Sequence, residues 1–115
     1  MMIDNTTDLT KIKCVPCEGG VPSLTQLEVE KYLKLTPKWQ VNSDHTIISR
    51  KFDFKGFYKT MDFVNAVAWI ANQENHHPDL EVSYSSCLVK FTTHAINGLS
   101  DNDFICAAKV DKLLS

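Results

Sequence analysis

The chain contains no run of basic residues longer than two, and its formal net charge is −2. A broad basic surface for nucleic acid is therefore not expected. No apolar stretch approaches the roughly 20 residues of a membrane-spanning helix, so membrane insertion is not expected either. The N-terminal MMIDNTTDLTKIK is polar and lacks the apolar segment of a secretion signal, so the expected compartment is the cytoplasm. Internal repeats, low-complexity tracts and inter-domain linkers are absent. So are a nucleophile elbow, a phosphate loop and a glycine-rich dinucleotide fingerprint. Neither H-x-H nor H-x-x-x-H occurs, the spacings that suit zinc on a strand or a helix.

What is present reads as one globular domain. Hydrophobic residues make up 43% of the 115 positions and charged residues 23%, ordinary values that place the chain with folded rather than disordered sequences. A domain of this size buries roughly two-thirds of the surface its unfolded chain exposes, enough for one core without staples. The four cysteines are expected to be thiols, because an even count implies disulfides only in exported chains. Cys14 and Cys17 form C-x-x-C, half of a zinc site. The other half would need Cys87 and Cys106, but Cys87 falls on the core face of an expected strand. A thioredoxin-like role would want the motif opening a helix, whereas here it lies among prolines and glycines. Structural or incidental cysteines are the expectation.

Residues 1–22 lack periodicity and form an irregular N-terminal arm, leaving 23–115 as the folded unit. TQLEVEKYLKL predicts a first helix: Thr25 and Glu28 make a capping box and Pro37 ends it. KWQV and TIISRKFDF predict two strands around the turn NSDH, with Ile48, Phe52 and Phe54 on one face and Arg50 interrupting it. GFYKTMDFVNAVAWIANQEN predicts the strongest helix. Phe57, Met61, Val64, Ala68 and Ala71 recur at four-three spacing, and Phe63, Val67 and Ile70 widen the stripe. So wide an apolar girth suggests a partner subunit as well as a sheet. DLEVSY and SCLVKFTTH predict two further strands. Ser100 and Asp103 open a last helix, DNDFICAAKVDKLL. The order α-β-β-α-β-β-α implies an α+β fold, a four-stranded antiparallel sheet with three helices on one face.

His76 and His77 leave the long helix just before Pro78, which excludes helical geometry from the residue ahead of it. His94 ends the last expected strand, on the face opposite Val89 and Phe91. If the helix exit and the strand end share one edge of the sheet, these three histidines can meet, while His45 sits solvated in a turn. Adjacent histidines diverge, which disfavours their binding one zinc ion together. Imidazoles that titrate near neutrality can instead donate, accept and orient protons for the addition or elimination of water. A polar loop of no consequence is the plainer alternative.

NHHPDLEVSY, then THAINGLSDND, with FDFKGFYKTMDFVNAV ahead of them, closely resemble the pterin-4a-carbinolamine dehydratase family. Tyr84, His94 and Asp103 fill its positions after H-H-P, and Trp39 matches its tryptophan after LTPK. The similarity runs from about Leu24 to the C-terminus. It implies a metal-free lyase without a cofactor, which dehydrates 4a-hydroxytetrahydropterin to quinonoid dihydropterin and so supports aromatic amino acid hydroxylases. By resemblance, His76 and His94 are the acid/base pair and His77 binds and orients the pterin. Trp39 or Tyr84 would line the pocket, and Asp103 would orient a histidine or cap its helix. Family members often carry a glutamate and an aspartate where this chain has Asn72 and Asn75, which are expected to contact substrate as amides. The resemblance also implies a homodimer or homotetramer built through the long helix. Animal relatives act as dimerisation cofactors for a homeodomain transcription factor, a role that would use the helix around Met61 to Ala71.

Overall fold

A computed structural model describes residues 3–16, 19 and 21–114. Its first helix, α1 (Gln26–Leu35), starts where the capping box predicts: Glu28 N–H donates to Thr25 Oγ1 (3.2 Å) and Thr25 N–H to Glu28 Oε1 (2.8 Å). Strand β1 (Gln40–Val41) follows Pro37, and β2 (Ile48–Asp53) returns antiparallel to it. Asn42 holds the turn between them. Its Oδ1 accepts from Thr46 N–H (2.8 Å) and Ile47 N–H (2.9 Å), while His45 takes left-handed geometry (φ 57°).

Helix α2 (Phe57–Glu74) leads to the edge strand β3 (Asp79–Val82), which pairs with β4 (Ser86–Phe91), and α3 (Asp101–Lys112) closes the domain. The four strands lie in the order β1-β2-β4-β3, every pair antiparallel. The expected α+β order α-β-β-α-β-β-α is therefore the observed one. Among the described residues, no helix is long and apolar enough to cross a membrane.

Two expectations shift. The last strand stops at Phe91, not at His94, because Thr93 bridges to Gly98 and His94–Ile96 form a single 3-10 turn. Along α2, Thr60, Phe63, Val67 and Ile70 are the buried residues. Phe57 and Ala68 are exposed, with Met61, Val64 and Ala71 half-buried, so the stripe read as primary is the flank and the residues read as widening it face the core.

Arg50 interrupts the apolar face of β2 for a reason. Its guanidinium pairs with Asp111 of α3 and lies 4.2 Å from the centre of the Phe52 ring, so the charge is neutralised and its flat face packed. Helix α3 is the hub, and all six residues from Asn102 to Ala107 are buried.

Among its described residues the N-terminal segment is irregular apart from one 3-10 turn, Leu9–Lys11, and it is docked. Leu9 and Cys14 are buried. Val15 N–H donates to Asn102 Oδ1 (3.1 Å), and Asn102 Nδ2 donates back to Val15 O (2.6 Å). Cys17 lies outside the described residues.

Glu74, at the end of α2, takes the Cys14 N–H on Oε1 (2.9 Å) and Lys109 Nζ near Oε2 (2.9 Å). Burial pushes its carboxyl up, but those partners prevail and hold it below its ordinary value of 4.5. A folded-state value below the unfolded one means the stabilisation is complete above about pH 4.5 and is lost as pH falls through the folded value. Glu74→Gln is therefore expected to lower Tm at neutral pH and to converge on the parent protein in acid. Melting curves across pH check this, and a constant gap down to the acid limit would refute it.

Candidate active site

The site begins with the way α2 ends. Asn75 adopts left-handed geometry (φ 51°, ψ 41°). His76 N–H then reaches back to Ala71 O (3.1 Å) and Asn75 N–H to Asn72 O (3.4 Å). This is a Schellman closure, which fixes the direction in which the chain leaves the helix. Asparagine suits it because, after glycine, it best tolerates positive φ. His76 and His77 are thus delivered in non-helical geometry ahead of Pro78, and β3 begins at Asp79.

Strand register brings the other half of the site alongside. Asp79 pairs with Lys90, so the residues before Asp79 run beside those after Lys90. The helix exit and the end of β4 therefore share one edge of the sheet. The His76 ring lies nearly parallel to Phe91 (11° between planes, centroids 6.0 Å apart), and Phe91 packs in turn against Trp39 (5.8 Å). His94 follows, its side chain 68% exposed and its Nε2 3.8 Å from Asp79 Oδ2.

Asp103 anchors the arrangement from α3. Its side chain is 0% exposed, and His76 Nε2 lies 2.6 Å from Oδ1. Oδ2 accepts from Thr93 Oγ1 (2.8 Å) and from Ser100 N–H (3.0 Å). Asp103 thus both caps its helix and holds a histidine. A carboxylate has no proton to offer, so the hydrogen of that short bond sits on Nε2 and, in neutral imidazole, Nδ1 carries the lone pair. Thr93 spends its own hydrogen on Asp103, so the 2.7 Å contact with Ser100 Oγ has serine as donor. The loop between Thr93 and Ser100 needs Gly98, where a Cβ would fall 2.6 Å from Ser23 Cβ.

An open cleft of about 410 Å³ lies against this histidine pair. Its apolar wall comes from Val67, Ala68, Ala71 and Leu80, and its polar lining from Asn72, Asn75, His76 and His77. A flat ligand with polar edges fits such a mixture. Of the residues expected to form the site, these four and Asp103 come together. His94 stands at the same sheet edge, outside the cleft lining. Trp39 is only 4% exposed, and its indole N–H donates to Asp111 Oδ1 (2.9 Å), which makes it a core residue two rings behind His76. Tyr84 is 72% exposed and follows the far end of β3. Its carbonyl accepts from Thr60 in the first turn of α2, and that 18-residue helix is about 27 Å long. Thr93 and Phe91 were not anticipated as supports of His76. Among the described residues, no group of three or more His, Cys, Asp or Glu is arranged to hold a metal ion.

Comparison with known proteins identifies a family. The family described as Pterin 4 alpha carbinolamine dehydratase matches residues 22–113. A Legionella pneumophila (strain Corby) protein provisionally named pterin-4-alpha-carbinolamine dehydratase is 58% identical over 110 residues, covering 95% of this chain and 97% of its own. A Nitrosomonas eutropha protein with the same provisional name is 60% identical over 111 residues, covering 96% of both. The crystal structure of a transcriptional coactivator/pterin dehydratase from Brucella melitensis superposes with a TM-score of 0.76 at 29% identity, over 81% of this chain and 99% of that one. A pterin dehydratase-like RuBisCO assembly factor of the alpha-carboxysome shares the fold at a TM-score of 0.58 and 18% identity, over 66% of this chain and 88% of that one. With a buried Asp103 gripping His76 beside an open cleft and a family match across most of its length, the chain belongs to the pterin 4 alpha carbinolamine dehydratase family.

Proposed function

We propose that this protein removes water from 4a-hydroxytetrahydropterin by histidine acid/base catalysis and that it serves the recycling of tetrahydropterin for aromatic amino acid hydroxylation in the cytoplasm. The observation that carries the reading is the 2.6 Å contact between His76 and buried Asp103 at the wall of the cleft. Loss of the C4a hydroxyl as water requires one proton, and formation of the adjacent C=N bond releases one from the ring nitrogen. Substrate thus yields quinonoid dihydropterin and water with no net change in protons. His76, presenting Nδ1, and His94 are the pair that exchange these protons. His77, Asn72 and Asn75 bind the polar edge of the ring, and the apolar wall takes its face.

The test follows the decay of freshly generated 4a-hydroxytetrahydropterin with and without the purified, EDTA-treated protein. Acceleration supports the reading, and decay at the uncatalysed rate defeats it. A related prediction concerns Trp39. Trp39→Phe removes the bond to Asp111, which keeps Arg50, and is expected to cost about 1 kcal/mol of stability with little change in KM. A raised KM at unchanged Tm would instead put the indole against the ligand.

Self-association through α2 belongs to the same proposal. Phe57, Tyr58 and Trp69 are large apolar residues exposed along that helix. They also support a second reading, a dimerisation or coactivator role, in keeping with the description of the Brucella protein. That role would survive loss of the histidines.

A further inference from the structure

Cys14 and Cys106 bring their Sγ atoms to 3.6 Å although 92 positions separate them in the chain. Cys14 belongs to the irregular N-terminal segment and Cys106 to α3, and both are buried free thiols. The gap is about 1.5 Å longer than a disulfide bond. The segment is held in place on both sides of the thiol, by Glu74 at the Cys14 N–H and by Asn102 at Val15. Sulfur therefore faces sulfur by construction of the fold. The dehydration reaction makes no use of either thiol.

We propose that Cys14 and Cys106 form a reversible oxidation site, closed to a disulfide by hydrogen peroxide. The Cys14 contact and burial push the Cys106 thiol up, so Cys106 is the poorer first nucleophile. Cys14, 8% exposed, meets the oxidant. Its sulfur takes one peroxide oxygen, the O–O bond breaks, and Cys14 sulfenic acid and one water result. The Cys106 sulfur then attacks the sulfenic sulfur. The S–S bond forms as the S–O bond breaks, and the departing hydroxide takes the Cys106 proton to become the second water. Two thiols and one peroxide thus give one disulfide and two waters. A dithiol reductant reverses the step. The bond would tie the N-terminal segment to α3 directly behind the backbone of His76, whose carbonyl lies 4.0 Å from Cys106 Sγ.

The experiment treats the reduced full-length protein with hydrogen peroxide, quenches and alkylates it, and maps peptides by mass spectrometry. The expected result is a loss of about 2 Da and a peptide linking Cys14 to Cys106. Closing so long a loop is expected to raise Tm by at least about 5 °C, reversed by dithiothreitol. Cys14→Ser abolishes the link, and Cys17→Ser retains it. A link between Cys14 and Cys17, over-oxidation of Cys14 without a link, or no change in mass overturns the proposal.

Discussion

A protein carrying both His76→Ala and His94→Ala is expected to accelerate the decay of 4a-hydroxytetrahydropterin at least about 1,000-fold less than the parent. One positioned general acid or base is worth about 10²–10⁴-fold, and this variant removes two. The single variants divide the work. If each imidazole handles one of the two protons, each substitution alone costs about 100-fold or more, and the double variant costs less than the product of the two, because a crippled cycle has less to lose. His45→Ala is the control. His45 lies in the β1–β2 turn, beside Ser43 O, and its loss should leave the rate unchanged. Far-ultraviolet dichroism and melting curves must accompany the kinetics, since His76 also stacks on Phe91. A folded double variant with parental activity would remove the histidines from the mechanism.

Asp103 is expected to show the largest structural effect. In Asp103→Ala the Thr93 hydroxyl, the Ser100 N–H and the His76 ring lose their acceptor at once, inside a region the solvent does not reach. Breaking such a buried network costs about 3–5 kcal/mol, a large share of the roughly 5–15 kcal/mol that stabilises a domain. A fall in Tm of roughly 10–20 °C is the expected reading. Asp103→Asn separates support from chemistry. Its carbonyl oxygen can keep the helix cap, but its amide presents a donor to the Nε2 that now donates. The imidazole must then shift its hydrogen to Nδ1, and the lone pair offered to substrate is lost. The expected outcome is a loss in kcat of about 100-fold or more with a modest change in Tm. Equal damage to stability and turnover by the two variants would make Asp103 a helix cap and nothing more.

These residues also show what the chain discloses before it is folded. The capping pairs Thr25/Glu28 and Ser100/Asp103 are local, so spacing alone located both helix starts. Alternation marked Cys87, Val89 and Phe91 as inward, which they are. The flank of α2 was harder. On an amphipathic helix with apolar residues around most of its girth, periodicity cannot say which part of the stripe meets the sheet; that depends on how the helix lies on the strands. Arg50 looked like a break in pattern because its partner Asp111 is 61 residues away. His76 was legible as a candidate, and its bond to Asp103 was weighed against capping. Nothing in the spacing revealed that one carboxylate does both, since its two oxygens serve different elements. The tryptophan was illegible for the opposite reason: a ring that matches a family motif carries no sign of whether it supports a site or lines it.

The hub position of α3 has a consequence for how the protein is made. Helix α3, made after α1 and α2, is the one on which the N-terminal segment, α1 and α2 all pack. At roughly 5–20 residues per second, Cys14 waits roughly 5–18 s before Cys106 has even been added to the chain. During that interval the segment lacks α3 as a docking surface, Arg50 has no counter-ion on Asp111, and the part of the sheet that α3 covers is open. Folding of this domain is therefore bound to the synthesis of α3. A ribosome stalled just before α3 would hold most of the domain's residues while the N-terminal segment, α1 and α2 still lacked the helix they share.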